Sequence, residues 1–133
     1  MLSFVFGGLK QNIVHHRAPD CASGMIEYER ARVRWFLSIN RRDMTATDGF
    51  AQRSMTVADV GLFDFSKGFE DLHTTSYQEI LAGRGFPISE VRPSIETVTQ
   101  IRTRPLEPKS GNQHPMLTKV LADEGRYRDG WPV

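Results

Sequence analysis

Residues 31–40 alternate without interruption: Ala31, Val33, Trp35, Leu37 and Ile39 on one parity, Arg32, Arg34, Phe36, Ser38 and Asn40 on the other. A period of two is the signature of an extended strand, and it predicts that the first set faces a core. The second set carries two arginines and Phe36, so the opposite face is neither fully wet nor fully apolar. Shorter extended runs precede it at 11–16 and 23–29, flanking the breaker-rich turn Ala18-Pro19-Asp20. Two more follow at 52–58 and 62–65, after a polar loop containing Asp43 and Asp48-Gly49. No helix-length crossover separates these runs, which predicts antiparallel neighbours in a meander.

The second half changes period. Phe69, Leu72, Ser76, Tyr77, Ile80 and Leu81 fall on one face of a helix, with Asp71 placed to cap its start and Gly83 and Gly85 to stop it. Ile88, Val91, Ile95, Val98 and Ile101 form a second apolar stripe, with Pro93 expected in its first turn, where a missing N–H costs nothing. A third, short helix is expected over 116–123, beyond a proline-rich connector at 104–115. The fold class is therefore α+β, an antiparallel-rich open sheet with helices on one face.

Composition narrows what such a domain can do. The chain has 133 residues, 39% hydrophobic and 25% charged, which suits one globular domain and not a disordered segment. Seventeen Lys and Arg against 16 Asp and Glu leave a formal charge of +1. That balance gives no global electrostatic case for nucleic acid or an anionic membrane. The longest mostly apolar run, 2–9, is far short of the ~20 residues of a membrane helix and lacks the flanks of a signal peptide. A single cysteine, Cys21, cannot form an internal disulfide, which fits a reducing cytoplasm. Residues 1–8 read like the last turns of a buried helix ending at a glycine cap, an expectation that further chain normally precedes them.

The order of these segments resembles a known family. The run Ala31-Arg32-Val33-Arg34-Trp35-Phe36-Leu37-Ser38-Ile39-Asn40 is similar to a strand motif of sugar-nucleotide dehydrogenases. So are Arg53-Ser54-Met55-Thr56-Val57, Phe65-Ser66-Lys67-Gly68-Phe69-Glu70-Asp71-Leu72-His73-Thr74, Gly83-Arg84-Gly85-Phe86 and Arg92-Pro93-Ser94-Ile95-Glu96. Five motifs in one order, spanning 1–117, point to the C-terminal domain of the glucose–fructose oxidoreductase/inositol dehydrogenase superfamily. The branch most resembled is the NAD-dependent UDP-N-acetylglucosamine and UDP-N-acetylglucosaminuronate 3-dehydrogenases of bacterial surface-polysaccharide (O-antigen) synthesis. The resemblance implies an oxidoreductase of the cytoplasm that uses NAD and a UDP-sugar and assembles as a homo-oligomer through the open face of its sheet. It also implies a Rossmann domain, in trans or upstream, that this chain does not contain. No G-x-G-x-x-G is present, Gly83-Arg84-Gly85 follows a helix rather than a strand, and the family's Glu-Lys-Pro lysine and active-site histidine have no counterpart here. No cofactor is therefore expected in this chain, and no catalytic residue is assigned. Residues 118–133 form a tail without a counterpart in the family.

Three residues are candidates for substrate binding. His73, at the start of a helix that in the family lies near the pocket, could hydrogen-bond a sugar hydroxyl or transfer its proton; the structural alternative is a bond to its own turn. Arg53 and Arg34 could hold a nucleotide diphosphate through bidentate guanidinium contacts. For Arg34 the competing role is a subunit-interface pair with a carboxylate such as Glu27 or Glu29. Arg92 reads as a structural salt-bridge partner and His114-Pro115 as an element positioning the chain end. His15 and His16, adjacent in a strand, are expected on opposite faces and hence unable to share a metal. Cys21, expected in a loop, has no helix N-terminus to activate it. Trp35 and Tyr77 are expected in the core. The alternative to a dehydrogenase part is a non-catalytic sheet module that self-associates.

Overall fold

A computed structural model describes residues 2–43, 51–68, 70–108, 111–123 and 125–126. The chain divides into two compact units, one of Met1–Asn40 with Ile88–Val133 and one of Arg41–Pro87.

The first unit is built on a three-stranded antiparallel sheet in the order β1-β2-β3: β1 (Leu9–Arg17), β2 (Cys21–Tyr28) and β3 (Arg32–Ser38). The first three runs of the meander read from the sequence form this sheet and the last two a separate two-stranded one; β1 is three residues longer than its run, and β2 starts two residues earlier and ends one earlier. Trp35 lies opposite Gly24 and Val33 opposite Ile26. Val14, Ile26, Tyr28 and Trp35 form the buried cluster, with Leu2, Phe6, Leu9, Ala22, Val33 and Ile101 packed against it. Gly24 is required here: a Cβ at that position would press on the Ile13 carbonyl oxygen and lie 2.6 Å from the Trp35 ring. The indole thus occupies the space that any other residue's side chain would need. The alternation holds for Val33 and Trp35 and then runs out, because Leu37 and Ile39 are 57% and 76% exposed.

A short helix, α1 (Leu2–Phe6), ends at Gly7, whose φ of 86° is the left-handed value of a glycine helix stop. The turn after β2 holds that end. Arg30 donates its backbone N–H to the Phe6 carbonyl at 3.1 Å and its guanidinium to the Val5 carbonyl at 2.7 Å. Phe6 and Tyr28 then pack with ring centroids 6.2 Å apart.

The unit's long helix, here α3 (Ile88–Thr103), lies on the same side, over β1. Pro93 is its sixth residue, not part of the first turn, so the Ser89 carbonyl forgoes its usual i+4 donor. The helix is fastened by polar bonds. Arg17 donates to the Ile101 and Arg104 carbonyls at 2.7 and 2.9 Å, Arg104 donates to the Asn12 carbonyl at 3.0 Å, and Ser3 and Ser94 share a hydroxyl bond of 2.9 Å. Thr97 is its one buried residue. The expected apolar stripe mostly points elsewhere: of its five members only Ile101 packs on the core, while Ile88, Val91, Ile95 and Val98 are exposed.

The connector after α3 runs beside β1, where Glu107 N–H donates to the Val14 carbonyl at 2.8 Å and Leu106 bridges Val14. It leads to α4 (Pro115–Ala122), capped by His114, whose Nδ1 accepts the Met116 N–H at 3.1 Å. The His114 ring stacks on Phe36 at 5.9 Å and 22°. By strand alternation Phe36 points away from Trp35, so α4 meets the sheet on the side opposite α1 and α3. Phe36, expected on an open face, is half-buried.

The second unit contains a single-turn helix at Arg41–Asp43, the hairpin β4 (Ser54–Val57) and β5 (Gly61–Asp64), and α2 (Leu72–Leu81). Asp71 occupies the N-cap position in a left-handed conformation, φ 57°, without a side-chain cap bond. None of its described residues is buried. Tyr77, expected in the core, is 66% exposed, as are Leu72, Ile80 and Leu81 to varying degree. Asp48, Gly49 and Phe69 lie outside the described residues.

Candidate functional site

The three candidate substrate residues fall in different units. Arg34 is on β3 in the first; Arg53 and His73 belong to the second. Arg53 directly precedes β4, and its backbone closes the hairpin: its N–H donates to Ser66 Oγ at 2.8 Å and its carbonyl accepts from that hydroxyl at 3.3 Å. The side chain is exposed at the hairpin's open end. His73 is the second residue of α2 and is exposed, in the turn where helix N–H groups lack intrahelical partners.

Arg34 sits across from Met25 and is exposed. The carboxylate considered for it, Glu27, is instead the cross-strand partner of Arg32, at 3.6 Å. Among the described residues no carboxylate pairs with Arg34. Its titratable neighbour is His114, whose pKa is lowered first by burial and second by the Arg34 charge. Because His114 Nδ1 accepts a backbone N–H, its neutral form carries the proton on Nε2. Arg34, Phe36 and His114 thus make one surface with a cation, an aromatic ring and a neutral N–H donor.

The strand carrying His15 and His16 is bulged. The register shifts between Val14 and His16, so strict alternation fails at that point. The two rings meet different charges. His15 is 2% exposed, with no hydrogen-bond partner at either nitrogen, and the Glu107 charge acts on it. His16 feels Asp20 and Arg126. Burial is the leading cause lowering both pKa values. Among the described residues no group of His, Cys, Asp and Glu is placed to hold a metal ion. Cys21 begins β2 and is buried, rather than sitting in a loop.

The most buried ionic contact among the described residues escaped sequence reasoning. Asp20, in the β1–β2 turn, pairs with Arg126 at 2.7 Å and accepts from Asn40 Nδ2 at 3.0 Å. Its role is structural, and it ties a residue of the tail to the sheet. Val120, also in 118–133, is buried as well. Nothing in the local pattern around Arg126 marks such a partner.

The strands are antiparallel, and the paired glycines Gly83 and Gly85 follow α2 instead of linking a strand to a helix. The chain does not fit a dinucleotide pyrophosphate by the usual loop. Among the described residues no helix is long and apolar enough to cross a membrane.

No family model matches the chain. Solved structures do, among them two of one dehydrogenase. The WlbA (WbpB) dehydrogenase from Thermus thermophilus in complex with NAD and alpha-ketoglutarate is 38% identical, with a TM-score of 0.76. The same dehydrogenase in complex with NAD and UDP-GlcNAcA is 39% identical, with a TM-score of 0.73. Each match covers 86% of this chain and 38% of the dehydrogenase chain. The resemblance to sugar-nucleotide dehydrogenases is thereby borne out, and the chain is a relative of the WlbA (WbpB) dehydrogenase corresponding to about two-fifths of its length, consistent with a C-terminal domain.

Proposed function

We propose that this chain is the C-terminal part of an NAD-dependent oxidoreductase that oxidises C3 of a UDP-sugar, UDP-N-acetylglucosamine or its uronate, for surface-polysaccharide synthesis in the cytoplasm. The observation that carries this reading is identity of 38–39% over 86% of the chain to an enzyme solved with NAD and UDP-GlcNAcA. Hydride removal needs an acceptor that side chains cannot supply. With no glycine-rich loop in the sequence, the acceptor must be held by another domain, and the chain alone is silent. Its own part is to bind and orient. Arg53 offers a guanidinium to the diphosphate, His73 an imidazole to a sugar hydroxyl, and Arg34 either a phosphate contact or a subunit contact.

The test is a hybrid in which this chain replaces the matched portion of the Thermus dehydrogenase. NAD reduction with UDP-GlcNAcA by the hybrid, and none by the chain alone, is the expected result. An inactive but folded hybrid would contradict the assignment. The second reading, a self-associating module, is favoured by Leu37 and Ile39, both exposed at the end of the outer strand β3. The two readings share the expectation of a homo-oligomer.

A further inference from the structure

α4 lies on the sheet through a stripe that starts at its own cap. His114, Leu117 and Val120 recur at i, i+3 and i+6, and both Leu117 and Val120 are buried. The His114 ring stacks on Phe36. Phe36 and His16 are both register partners of Ser23, so one cross-strand row runs from His16 to the ring that His114 covers. The cap bond fixes the protonation state of His114. Its Nδ1 accepts the Met116 N–H, which requires a free lone pair on that nitrogen. A proton there would turn the acceptor into a donor facing the N–H groups of a helix start. It would also set a positive charge against the positive end of the helix and against Arg34 of β3. The carboxylates of this seam do not offset that charge: Glu107 acts on His15, and Asp20, with Arg126, on His16. The basic residue of α4 itself, Lys119, is in its last turn.

We propose that α4 is an acid-released cover: one proton taken up by His114 breaks the cap, and the helix lifts off Phe36 while the sheet beneath stays folded. Burial first, and the Arg34 charge second, make the docked ring resist that proton. Docking is complete while the ring is neutral. It is lost as pH falls from about 6.5, the ordinary histidine value, toward the lowered value of the docked ring. Opening exposes Leu117 and the face of Phe36, an apolar surface hidden at neutral pH.

The test is amide hydrogen exchange of the full chain at pH 7.5 and 5.5, read by mass spectrometry and corrected for the intrinsic rate at each pH. In the parent, residues 116–122 are expected to be less protected than β2 at both values, the mark of local opening. Their protection is expected to fall about tenfold at pH 5.5, the factor for a helix that docks only with a neutral histidine. His114→Asn and His114→Asp each keep an N-cap acceptor and do not titrate between these values. At least one of them is expected to hold α4 equally protected at both. A tenfold loss that persists in a variant whose α4 is protected at pH 7.5 overturns the proposal, as does parent protection that does not fall. Protection of α4 identical to that of β2 overturns it too, because the helix then opens only with the whole fold. An α4 unprotected at pH 7.5 in both variants assigns the docking to the imidazole ring and not to its protonation, and also overturns it.

Discussion

Asp20 and Arg126, from opposite ends of the chain, meet at 2.7 Å with both side chains almost wholly buried, at 1% and 2% exposure. A buried pair gains little net energy over an apolar one, but removing one partner strands the other charge at a cost of about 3–5 kcal/mol. Arg126→Ala is therefore expected to lower unfolding stability by that order in urea titration. Asp20→Leu combined with Arg126→Leu is expected to recover most of the loss. A single variant as stable as the parent would show that the tail does not hold the sheet.

Acid should destabilise the fold. His15, His16 and His114 all have pKa values lowered from 6.5, chiefly by burial. Glu107 opposes the shift at His15 and Asp20 at His16, while Arg126 adds to it at His16 and Arg34 at His114. Below about pH 6.5 the unfolded chain takes up protons that the folded imidazoles resist, so stability is lost as pH falls through the window between that value and the lowered folded ones, and levels off beneath it. The denaturation midpoint should be lower at pH 5.5 than at 7.5, and His15→Leu should weaken that dependence. A flat profile would contradict the burial of these rings.

In the active hybrid, Arg53→Ala should raise KM for the UDP-sugar about tenfold or more, the scale of losing a charge-assisted bond to phosphate. His73→Ala should lower kcat or raise KM, while Arg34→Ala should change assembly and leave KM unaltered if its role is at an interface. Unchanged kinetics in both Arg53→Ala and His73→Ala would remove the second unit from the substrate site.

Association is the simplest property to check. The 15.1 kDa chain leaves Leu37, Ile39 and Phe4 exposed, and light scattering at micromolar concentration should give a dimer or larger. A mass near 15 kDa would defeat this.

Local pattern carried the strands well. Residues 31–40 predicted β3 and the burial of Trp35, because alternation is a property of the strand itself. It overreached at Leu37 and Ile39, since what covers a strand's end is set by elements far away in sequence. The same limit explains α3. Its stripe marked a helix correctly, yet Ser94 and Thr97 face inward, Ser94 bonded to Ser3 and the Thr97 carbonyl accepting from Asn12, and periodicity registers neither bond. Tyr77 shows it again, with an apolar face legible and its partner not. The bulge beside His16 broke the alternation rule by one residue. The Asp20–Arg126 pair is purely long-range. Of the candidate site, Arg34 was placed on the correct surface of β3, but its neighbour His114 comes from the other end of the chain.

The most direct measurement is calorimetry of NAD binding to the purified chain, with UDP-N-acetylglucosamine titrated separately. The account predicts no heat from NAD, because neither the antiparallel strands nor the glycines Gly83 and Gly85 form a pyrophosphate loop; heat from the sugar nucleotide alone would mark a substrate half without its cofactor domain. NAD binding in the micromolar range would contradict the account at its root.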